Sequence, residues 1–303
     1  MIENMKSGPL VSIIVLIYNN YNILEKNIKS ILNQDYRNIE LVIADDGSKN
    51  YNKNYIEKLL EGNELSRTII YSNSENVGTV RNYNNAIKKS SGQIIVPLAA
   101  DDCFTSPSFI SKLVSFFEKE KCLVCTCKRI GEITRKILPN ENDIQIMKTN
   151  DKVFNRLCYQ GLYSGSVLYF DRRIFDLVGF FDEKYYLVED YPYSIKLYMN
   201  DIEIKFFDIV SIEYGESGIS SKKIEKKSRI ALDYIKVLQY LLENKKYISN
   251  KKCLKYLVFQ YDLYKHNKLV LFIKHPILFC RRATLKLMNR NIDYYSKYLE
   301  KVE

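Results

Sequence analysis

Histidine is nearly absent from this 303-residue chain, which contains only His266 and His275. A nucleophilic triad that depends on histidine is therefore excluded from the whole of the preceding sequence. A G-x-G-x-x-G turn after the first strand is also missing, which argues against a dinucleotide-binding oxidoreductase. No apolar run approaches the roughly 20 residues that cross a bilayer, so no transmembrane helix is expected.

The seven cysteines form no pairing framework. Cys122, Cys125 and Cys127 are close together in KCLVCTCK, but no second Cys or His pair follows at zinc spacing. We therefore predict that they are small side chains of a buried strand. The first residues, MIENMKSGP, lack the apolar region of a signal peptide. An odd cysteine count without such a signal fits the reducing cytoplasm, which is the expected location.

Negative charge is scarce towards the end of the chain. Residues 221–303 contain 20 Lys and Arg against 7 Asp and Glu, whereas residues 1–220 contain 26 against 29. The basic excess behind the net charge of +10 therefore lies in the last quarter. We predict two domains, 1–220 and a basic, mostly helical region 221–303. The asymmetry indicates an anionic partner for the second, either a membrane surface or nucleic acid.

Buried strands and helices alternate in the first part of the chain. The apolar runs 10–18 and 39–48 are typical of parallel strands, and helical patterns follow them. In the run 92–100, Pro97 predicts a strand that is at an edge, is bulged or ends early. The alternation predicts a doubly wound α/β sheet. The polar segment 131–155 is expected to be an irregular, mobile loop.

Adjacent aspartates end two of these strands, Asp45 with Asp46 and Asp101 with Asp102. Neighbouring carboxylates repel each other, and one pKa rises unless a cation lies beside them. Ligands of open α/β sheets bind at the carboxyl ends of the strands, so both pairs are candidates for a binding site. The alternative is a set of acidic turn residues, and for Ser48, after the first pair, we favour capping of the next helix.

The ordered motifs resemble family 2 glycosyltransferases. The matching segments are VSIIVLIYNN, LVIADDGS, ENVGTVRN, VPLAADD, GFFDEKYYLVEDY and SGIS, spread over residues 10–220. The pairing of PLAADD with EDYP resembles bacterial enzymes that build surface polysaccharides such as capsule and lipopolysaccharide. The resemblance implies a GT-A fold, which is a mixed, Rossmann-like nucleotide-binding sheet flanked by helices, followed here by a C-terminal helical extension.

The resemblance assigns a metal to the second aspartate pair. In the family, such a cluster holds Mg²⁺ or Mn²⁺ against the diphosphate of a nucleotide sugar, and hard oxygen ligands suit those ions. Asp101 and Asp102 are the implied ligands, and either could be the direct one. Ala99 replaces the first aspartate of the family pattern.

The resemblance also implies a set of residues that bind the nucleotide sugar: Tyr18, Asp45, Asp46, Asn76, Gly78, Arg81 and Asp101. Asp46 is expected to accept the imide N–H of uracil or thymine, which makes a UDP-sugar the preferred donor. Tyr18 either stacks on the base or packs under the sheet. Arg81 either faces the nucleotide or forms a surface ion pair.

The motif VED implies the base of an inverting transfer. Asp190, with Glu189 beside it, would take the proton of the acceptor hydroxyl as that oxygen attacks the sugar. The alternative is that Asp190 only caps the helix that follows. The family's cationic segments are absent near both EDYP and EYGESGIS, so a phosphate-binding cation is expected from elsewhere in the chain.

These features predict a metal-dependent, inverting glycosyltransferase. It would move a sugar from a nucleoside diphosphate to a lipid-linked or growing glycan acceptor in bacterial surface polysaccharide synthesis. The alternative, motivated by Ala99, is a non-catalytic sugar-nucleotide-binding or scaffold subunit of a polysaccharide assembly complex.

The last part of the chain suggests a second hypothesis. Residues 251–290 interleave Lys and Arg with large apolar side chains, as in helices that lie on anionic membrane surfaces. Peripheral association with the inner face of the plasma membrane is therefore predicted. The alternative is packing on the catalytic domain or on a second subunit of a homo-oligomer. No recognition motif for nucleic acid accompanies the charge, so that partner is not expected.

Overall fold

The computed structural model describes residues 8–149, 153–216 and 228–287. These residues form two compact units. The first contains the chain up to Asn140 and from Tyr163 to the end of the second range, and the other contains Glu141–Leu162 and the third range. The motif SGIS (217–220) and the boundary near residue 220 lie outside the described residues, so the division into 1–220 and 221–303 stays a prediction.

The described residues form nine strands, all in one sheet. They are β1 (Val11–Ile17), β2 (Ile39–Asp45), β3 (Arg67–Ser72), β4 (Ile94–Ala99), β5 (Cys103–Phe104), β6 (Val124–Gly131), β7 (Ile137–Leu138), β8 (Leu168–Asp171) and β9 (Ile204–Tyr214).

Twelve α-helices accompany the strands within the described ranges. They are α1 (Leu24–Leu32), α2 (Lys53–Leu59), α3 (Thr79–Lys89), α4 (Phe109–Glu120), α5 (Glu141–Thr149), α6 (Val153–Leu157), α7 (Arg173–Val178), α8 (Asp190–Met199), α9 (Arg229–Glu243), α10 (Lys251–Lys265), α11 (Lys268–Lys274) and α12 (Pro276–Leu287).

The sheet has a parallel half and a mixed half. Its order is β3-β2-β1-β4-β8-β6-β9-β5, with β7 paired to β6. The first four strands are parallel, and α1, α2 and α3 make the crossovers that parallel neighbours require. β8 is antiparallel to both β4 and β6, whereas β9 is parallel to β6. The predicted α/β sheet flanked by helices is confirmed.

Register aligns the two strand ends that carry aspartate pairs. Leu16 of β1 lies opposite Ala44 of β2 on one side and Ala99 of β4 on the other. Asp45 is the last residue of β2 and Asp46 follows it, whereas Asp101–Asp102 come shortly after β4 ends at Ala99. Because the strands are parallel, both pairs lie at the carboxyl edge of the sheet.

Pro97 lies where β4 is paired on one side only. β8 pairs with Ile94 and Ile95 and with no later residue of β4 among the described pairs. Beyond that point β4 is locally an edge strand, which tolerates a residue without an N–H. β4 itself is an inner strand of the sheet, so the expected edge position applies only locally, where the carboxyl end of β4 lacks a neighbouring strand on the β8 side among the described residues.

The segment 131–155 differs from its prediction as an irregular loop. It contains the end of β6, β7, α5 and the start of α6. Ile144 and Met147 of α5 are buried, and this buried face explains why a polar segment forms a helix. The cysteine prediction is confirmed for Cys125 and Cys127, which are buried in β6, whereas Cys122 is buried but precedes that strand.

The second unit is helical. Inside it, the fully buried Arg156 pairs with Asp143 at 2.9 Å. Buried Asp262 of α10 lies 2.9 Å from the Nε2 atom of His275 and 3.4 Å from that of His266. No helix among the described residues is long and apolar enough to cross a membrane.

Candidate active site

Asp45 is fully buried, and both of its carboxylate oxygens accept hydrogen bonds. The hydroxyl of Tyr21 donates to its Oδ1 atom at 2.9 Å. The hydroxyl of Ser72 and the backbone N–H of Ser48 donate to Oδ2 at 2.6 and 2.9 Å. Asp45 therefore fixes the turn after β2 and joins it to the end of β3.

Ser48 does not cap α2. Its hydroxyl accepts the N–H of Asn19 at 2.8 Å, which ties the end of β1 to the turn after β2. The N-cap is Asn52, whose side chain accepts the N–H of Tyr55. The predicted capping role of Ser48 is wrong because the chain continues four residues further before α2 begins.

Asp46 fastens the loop that leads into α3. Its carboxylate accepts the N–H groups of Val77 and Gly78, each at 2.9 Å, and the side-chain amide of Asn73 at 3.0 Å. A carboxylate can accept about four hydrogen bonds, so about one position remains. The loop and the end of β2 are thereby held as one piece.

Gly78 and Asn76 pack against Tyr186, in the segment that precedes the VED motif. Gly78 has φ +90° and ψ 156°, a region almost restricted to glycine. A Cβ atom there would lie 2.6 Å from the carbonyl oxygen of Tyr186. The hydroxyl of Tyr186 donates to the backbone oxygen of Asn76 at 3.1 Å and also to its side chain. The predicted nucleotide motif and the predicted catalytic motif therefore meet.

Arg81 forms the ion pair that was its alternative assignment. Its Nε atom donates to Glu183 at 3.0 Å, and its side chain is 55% exposed. Glu183 also accepts the side-chain amide of Asn84, and these contacts lower its pKa. Tyr18 does not pack under the sheet, because it is 47% exposed at the end of β1. Its ring is therefore open to a ligand at this edge.

Asp102 is buried and incompletely hydrogen-bonded. Its Oδ1 atom accepts the N–H of Gly215 at 2.8 Å, but buried Oδ2 has no partner among the described residues. Burial raises the pKa of Asp102 to about 8, and the carboxylate of Asp101 adds to the shift. Burial also raises the pKa of Asp101. A Cβ atom on Gly215 would lie 2.6 Å from both Cβ and the backbone oxygen of Asp101, so glycine permits this close approach.

This second pair fits a divalent metal by its chemistry. An orphaned carboxylate oxygen beside a second carboxylate is the conflict that a hard cation resolves. Within the described residues no group of three or more His, Cys, Asp or Glu side chains surrounds a metal position. Asp101 and Asp102 would be the ligands that the protein supplies. Oxygens of a bound substrate and water would complete the coordination.

Asp190 begins α8 and is held by two backbone groups. Its Oδ2 atom accepts the N–H of Gly165 at 2.8 Å, and Oδ1 accepts the N–H of Tyr191 at 2.7 Å. Burial raises its pKa, and these hydrogen bonds oppose the rise. Glu189 occupies the N-cap position of α8. The carboxylate thus contacts the first turn of α8 and also the loop that contains Gly165. A residue that only capped the helix would not need the second contact.

Arg129 is a cation that the motif analysis missed. It lies on β6, and its guanidinium is 3.7 Å from the ring centroid of Tyr214. Its guanidinium makes no hydrogen bond within the described residues, and its Nη1 atom is buried without a partner there. Its charge lowers the pKa of both Asp102 and Asp190. Arg129 is therefore a charged neighbour of the predicted metal ligand Asp102 and of the predicted base Asp190.

Local sequence carries little sign of these supporting residues. Gly165 stands between two serines in SGS, which marks a turn but gives no partner. Arg129 lies in an ordinary strand, and only the pairing of β6 with β9 brings it to Tyr214. Asn27 of α1 donates to the backbone oxygens of Ala99 and Asp102, both at 2.8 Å. It therefore supports the turn after β4, although α1 contains none of the sequence motifs.

The chain belongs to glycosyl transferase family 2, whose family model matches residues 12–178, more than half of the chain. The match covers β1 to α7, which includes both aspartate pairs and Arg129 but ends before Asp190.

Similar curated proteins are bacterial glycosyltransferases. An uncharacterized glycosyltransferase of Haemophilus influenzae is 28% identical over 63% of this chain and 58% of its own length. The GalNAc(5)-diNAcBac-PP-undecaprenol beta-1,3-glucosyltransferase of Campylobacter jejuni is 33% identical over 31% of this chain and 30% of its own. This chain spans 58%, 66% and 33% of three curated relatives that it matches.

Solved structures confirm the GT-A fold. S. aureus TarS 1-349 in complex with UDP-GlcNAc superposes with a TM-score of 0.62, at 18% identity, over 83% of this chain and 71% of that one. The mannosyltransferase PcManGT from Pyrobaculum calidifontis, in complex with GDP-Man and Mn²⁺, superposes with a TM-score of 0.55, at 14% identity, over 95% and 89%.

Proposed function

We propose that this protein is an inverting glycosyltransferase that moves a sugar from a nucleoside diphosphate to a glycan or lipid-linked acceptor. The observation that carries the proposal is the orphaned carboxylate oxygen of Asp102, buried at the end of β4 and beside Asp101. Buried aspartates that only support the fold are hydrogen-bonded, whereas Oδ2 of Asp102 has no partner within the described residues. A carboxylate left unpaired at the ligand-binding edge of an α/β sheet indicates a missing ligand.

The donor would lie across the carboxyl edge of the parallel strands. Tyr18 is open for stacking on the base, and Asp46 retains about one free acceptor position for a base N–H. A UDP-sugar is the preferred donor, and S. aureus TarS, which shares the fold, is solved with UDP-GlcNAc. Asn76 and Gly78 would shape the nucleotide pocket, whereas Arg81 would act through its ion pair with Glu183.

Mn²⁺ or Mg²⁺ held by Asp101 and Asp102 would supply positive charge to the leaving diphosphate. Asp190 would accept the proton of the acceptor hydroxyl, since its raised pKa makes it a stronger base than an exposed aspartate. The N–H groups of Gly165 and Tyr191 hold its carboxylate in a fixed orientation. Glu189, the preceding residue, would add a second negative charge beside the base.

The first test is a thermal-shift screen of the full chain with UDP-, GDP-, dTDP- and CMP-sugars and Mn²⁺. A ligand that binds only the folded state raises the melting temperature by mass action. Turnover of the selected donor is then measured with lipid-linked acceptors, because the Campylobacter jejuni relative is named for an undecaprenol-linked one. Binding without turnover over a broad acceptor set would favour the scaffold alternative.

An anionic membrane surface is the proposed location of the acceptor. On α11 and the start of α12, four apolar side chains are exposed: Leu269, Phe272, Ile273 and Ile277. Exposed Lys268 and Arg281 flank them. Apolar side chains bordered by cations suit an anionic lipid interface.

The membrane proposal is tested by sedimentation with phosphatidylglycerol vesicles at low and high salt. Leu269→Glu with Ile273→Glu should abolish salt-sensitive binding. Ile133→Glu, at a similarly exposed apolar position of the first unit, is the matched control. If the wild-type chain does not bind vesicles at low salt, the membrane proposal is wrong, and a concentration-dependent dimer would favour the oligomer alternative.

A further inference from the structure

Arg129 has an unusual set of neighbours for a partly buried arginine. Its guanidinium stacks on Tyr214 at 3.7 Å, and none of its N–H groups donates a hydrogen bond within the described residues. A buried, unpaired donor costs free energy comparable to a lost hydrogen bond, and more for a charged group. The guanidinium of Arg129 therefore has N–H groups that no described residue accepts.

The charged residues around Arg129 indicate what its guanidinium would bind. Arg129 acts electrostatically on Asp102, Asp190 and Glu216, yet it forms no ion pair with any of them. Glu216 is instead engaged by the N–H groups of Ile133 and Thr134, each at 2.7 Å. Oδ1 of Asp102 accepts the N–H of Gly215, and Asp190 accepts the N–H groups of Gly165 and Tyr191. None of these carboxylates accepts a hydrogen bond from the guanidinium of Arg129 within the described residues, so that group can bind an anionic ligand.

The position selects the kind of partner. Arg129 stacks on Tyr214, and the next residue, Gly215, donates its N–H to Asp102, so Arg129 lies beside the turn that carries the proposed metal ligands. The diphosphate of the nucleotide sugar would lie at that metal. A planar guanidinium matches two phosphate oxygens in a bidentate arrangement. Stacking on Tyr214 restricts the plane of the group, so less freedom is lost when it binds.

We infer that Arg129 binds the diphosphate of the donor and of the released nucleoside diphosphate. The inference rests on the proposed function and assigns to Arg129 the phosphate-binding cation that the motifs near EDYP and EYGESGIS do not provide. Interactions that strengthen as charge develops on the leaving group raise turnover as well as affinity.

The test compares nucleotides that differ by one phosphate. UDP and UMP are titrated by calorimetry with Mn²⁺ into wild type, Arg129→Gln and Arg129→Lys, with GDP and GMP as the second pair. Arg129→Gln should weaken diphosphate binding by about 10- to 100-fold and leave monophosphate binding within about twofold. Arg129→Lys should recover part of the affinity because it keeps the charge but lacks the planar fork.

Arg135→Gln is the matched control, since Arg135 lies on the same β6–β7 hairpin and pairs with Glu213. It should change neither titration. Equal weakening of UDP and UMP by Arg129→Gln would mean that Arg129 only supports the fold, and unchanged binding of both would also overturn the inference. A wild-type chain that binds neither nucleoside diphosphate would instead refute the proposed function, and the inference with it.

Discussion

The two aspartate pairs occupy comparable positions on either side of β1, but their carboxylates have different surroundings. Asp45 and Asp46 each accept three hydrogen bonds from protein groups. Asp102 accepts one from Gly215 and has a buried oxygen without a partner in the described part of the chain. The same dipeptide is therefore satisfied at one strand end and unsatisfied at the other.

The sheet topology explains this difference. The end of β2 is flanked by β3, which brings Ser72, and by the loop that follows it, which brings the donors for Asp46. The end of β4 has no such flank on one side, because β8 pairs only with Ile94 and Ile95. Fewer donors are available there, and a cation would stabilise the charged form of the buried carboxylate.

The largest effect is expected from removal of the incompletely hydrogen-bonded pair, Asp101 and Asp102. Asp101→Ala with Asp102→Ala should reduce turnover to background while the chain remains folded. EDTA should have the same effect on wild type, with recovery in Mn²⁺ or Mg²⁺, since the metal contributes several kcal/mol to such transfers. Asp176→Asn, an exposed aspartate on α7, is the control. Full activity of the double variant would refute the metal assignment.

Replacement of the base should be nearly as damaging to turnover but should spare the donor. Asp190→Asn keeps the shape of the side chain and cannot accept a proton, so turnover should fall by about 10²- to 10⁴-fold. Calorimetric affinity for UDP should stay within a few-fold of wild type. Loss of nucleotide binding together with turnover would show that Asp190 has a structural or ligand-binding role.

The same residue should set the acid limb of the pH profile. A base works only when it is deprotonated, so kcat/KM should fall as pH decreases through the pKa of Asp190. Because burial raises that pKa, the midpoint should lie above the usual range of an aspartate. A rate that is flat from pH 8 to pH 4, with the fold intact by circular dichroism, would contradict the assignment.

Stability measurements sharpen the comparison between the pairs. Asp46→Ala leaves the N–H groups of Val77 and Gly78 and the amide of Asn73 without their acceptor, and should cost about 2–4 kcal/mol of unfolding free energy. Asp102→Asn should be neutral or stabilising in EDTA at pH 7. A carboxyl whose pKa is raised in the folded state contributes fully to the free energy of unfolding only below the pKa that it has in the unfolded chain. This contribution of Asp102 is lost as pH rises towards 8.

Urea titrations at pH 7 in EDTA measure both variants. The order would be contradicted if Asp102→Asn were the more destabilising change. Addition of Mn²⁺ should then stabilise wild type and leave Asp102→Asn little changed, because only wild type has the ligand pair.

The strand–helix alternation and the aspartate pairs could be predicted from sequence because buried parallel strands produce long apolar runs. The surroundings of those aspartates could not. Gly215 reaches Asp102 only because β9 pairs with β6 and β5, a long-range pairing that leaves no local pattern. Likewise, α5 was missed since its buried face, with Ile144 and Met147, is short and lies in a polar segment. Arg129 could not be predicted for the same reasons. It belongs to no sequence motif, and its contact with Tyr214 depends on the pairing of β6 with β9.

The smallest expected effect concerns the loop that Asp46 holds. Gly78→Ala places a Cβ atom 2.6 Å from the carbonyl oxygen of Tyr186 at a backbone conformation that alanine rarely adopts. The expected cost is about 1–3 kcal/mol of unfolding free energy, with weaker UDP binding because the loop moves away from Tyr186. Gly62→Ala is the control, since Gly62 also has positive φ, at +71°, but its Cβ would have nothing within 4 Å. It should lose about 1 kcal/mol and keep its UDP affinity. If both variants lost stability equally and bound UDP equally well, the contact with Tyr186 would have no part in shaping the nucleotide pocket.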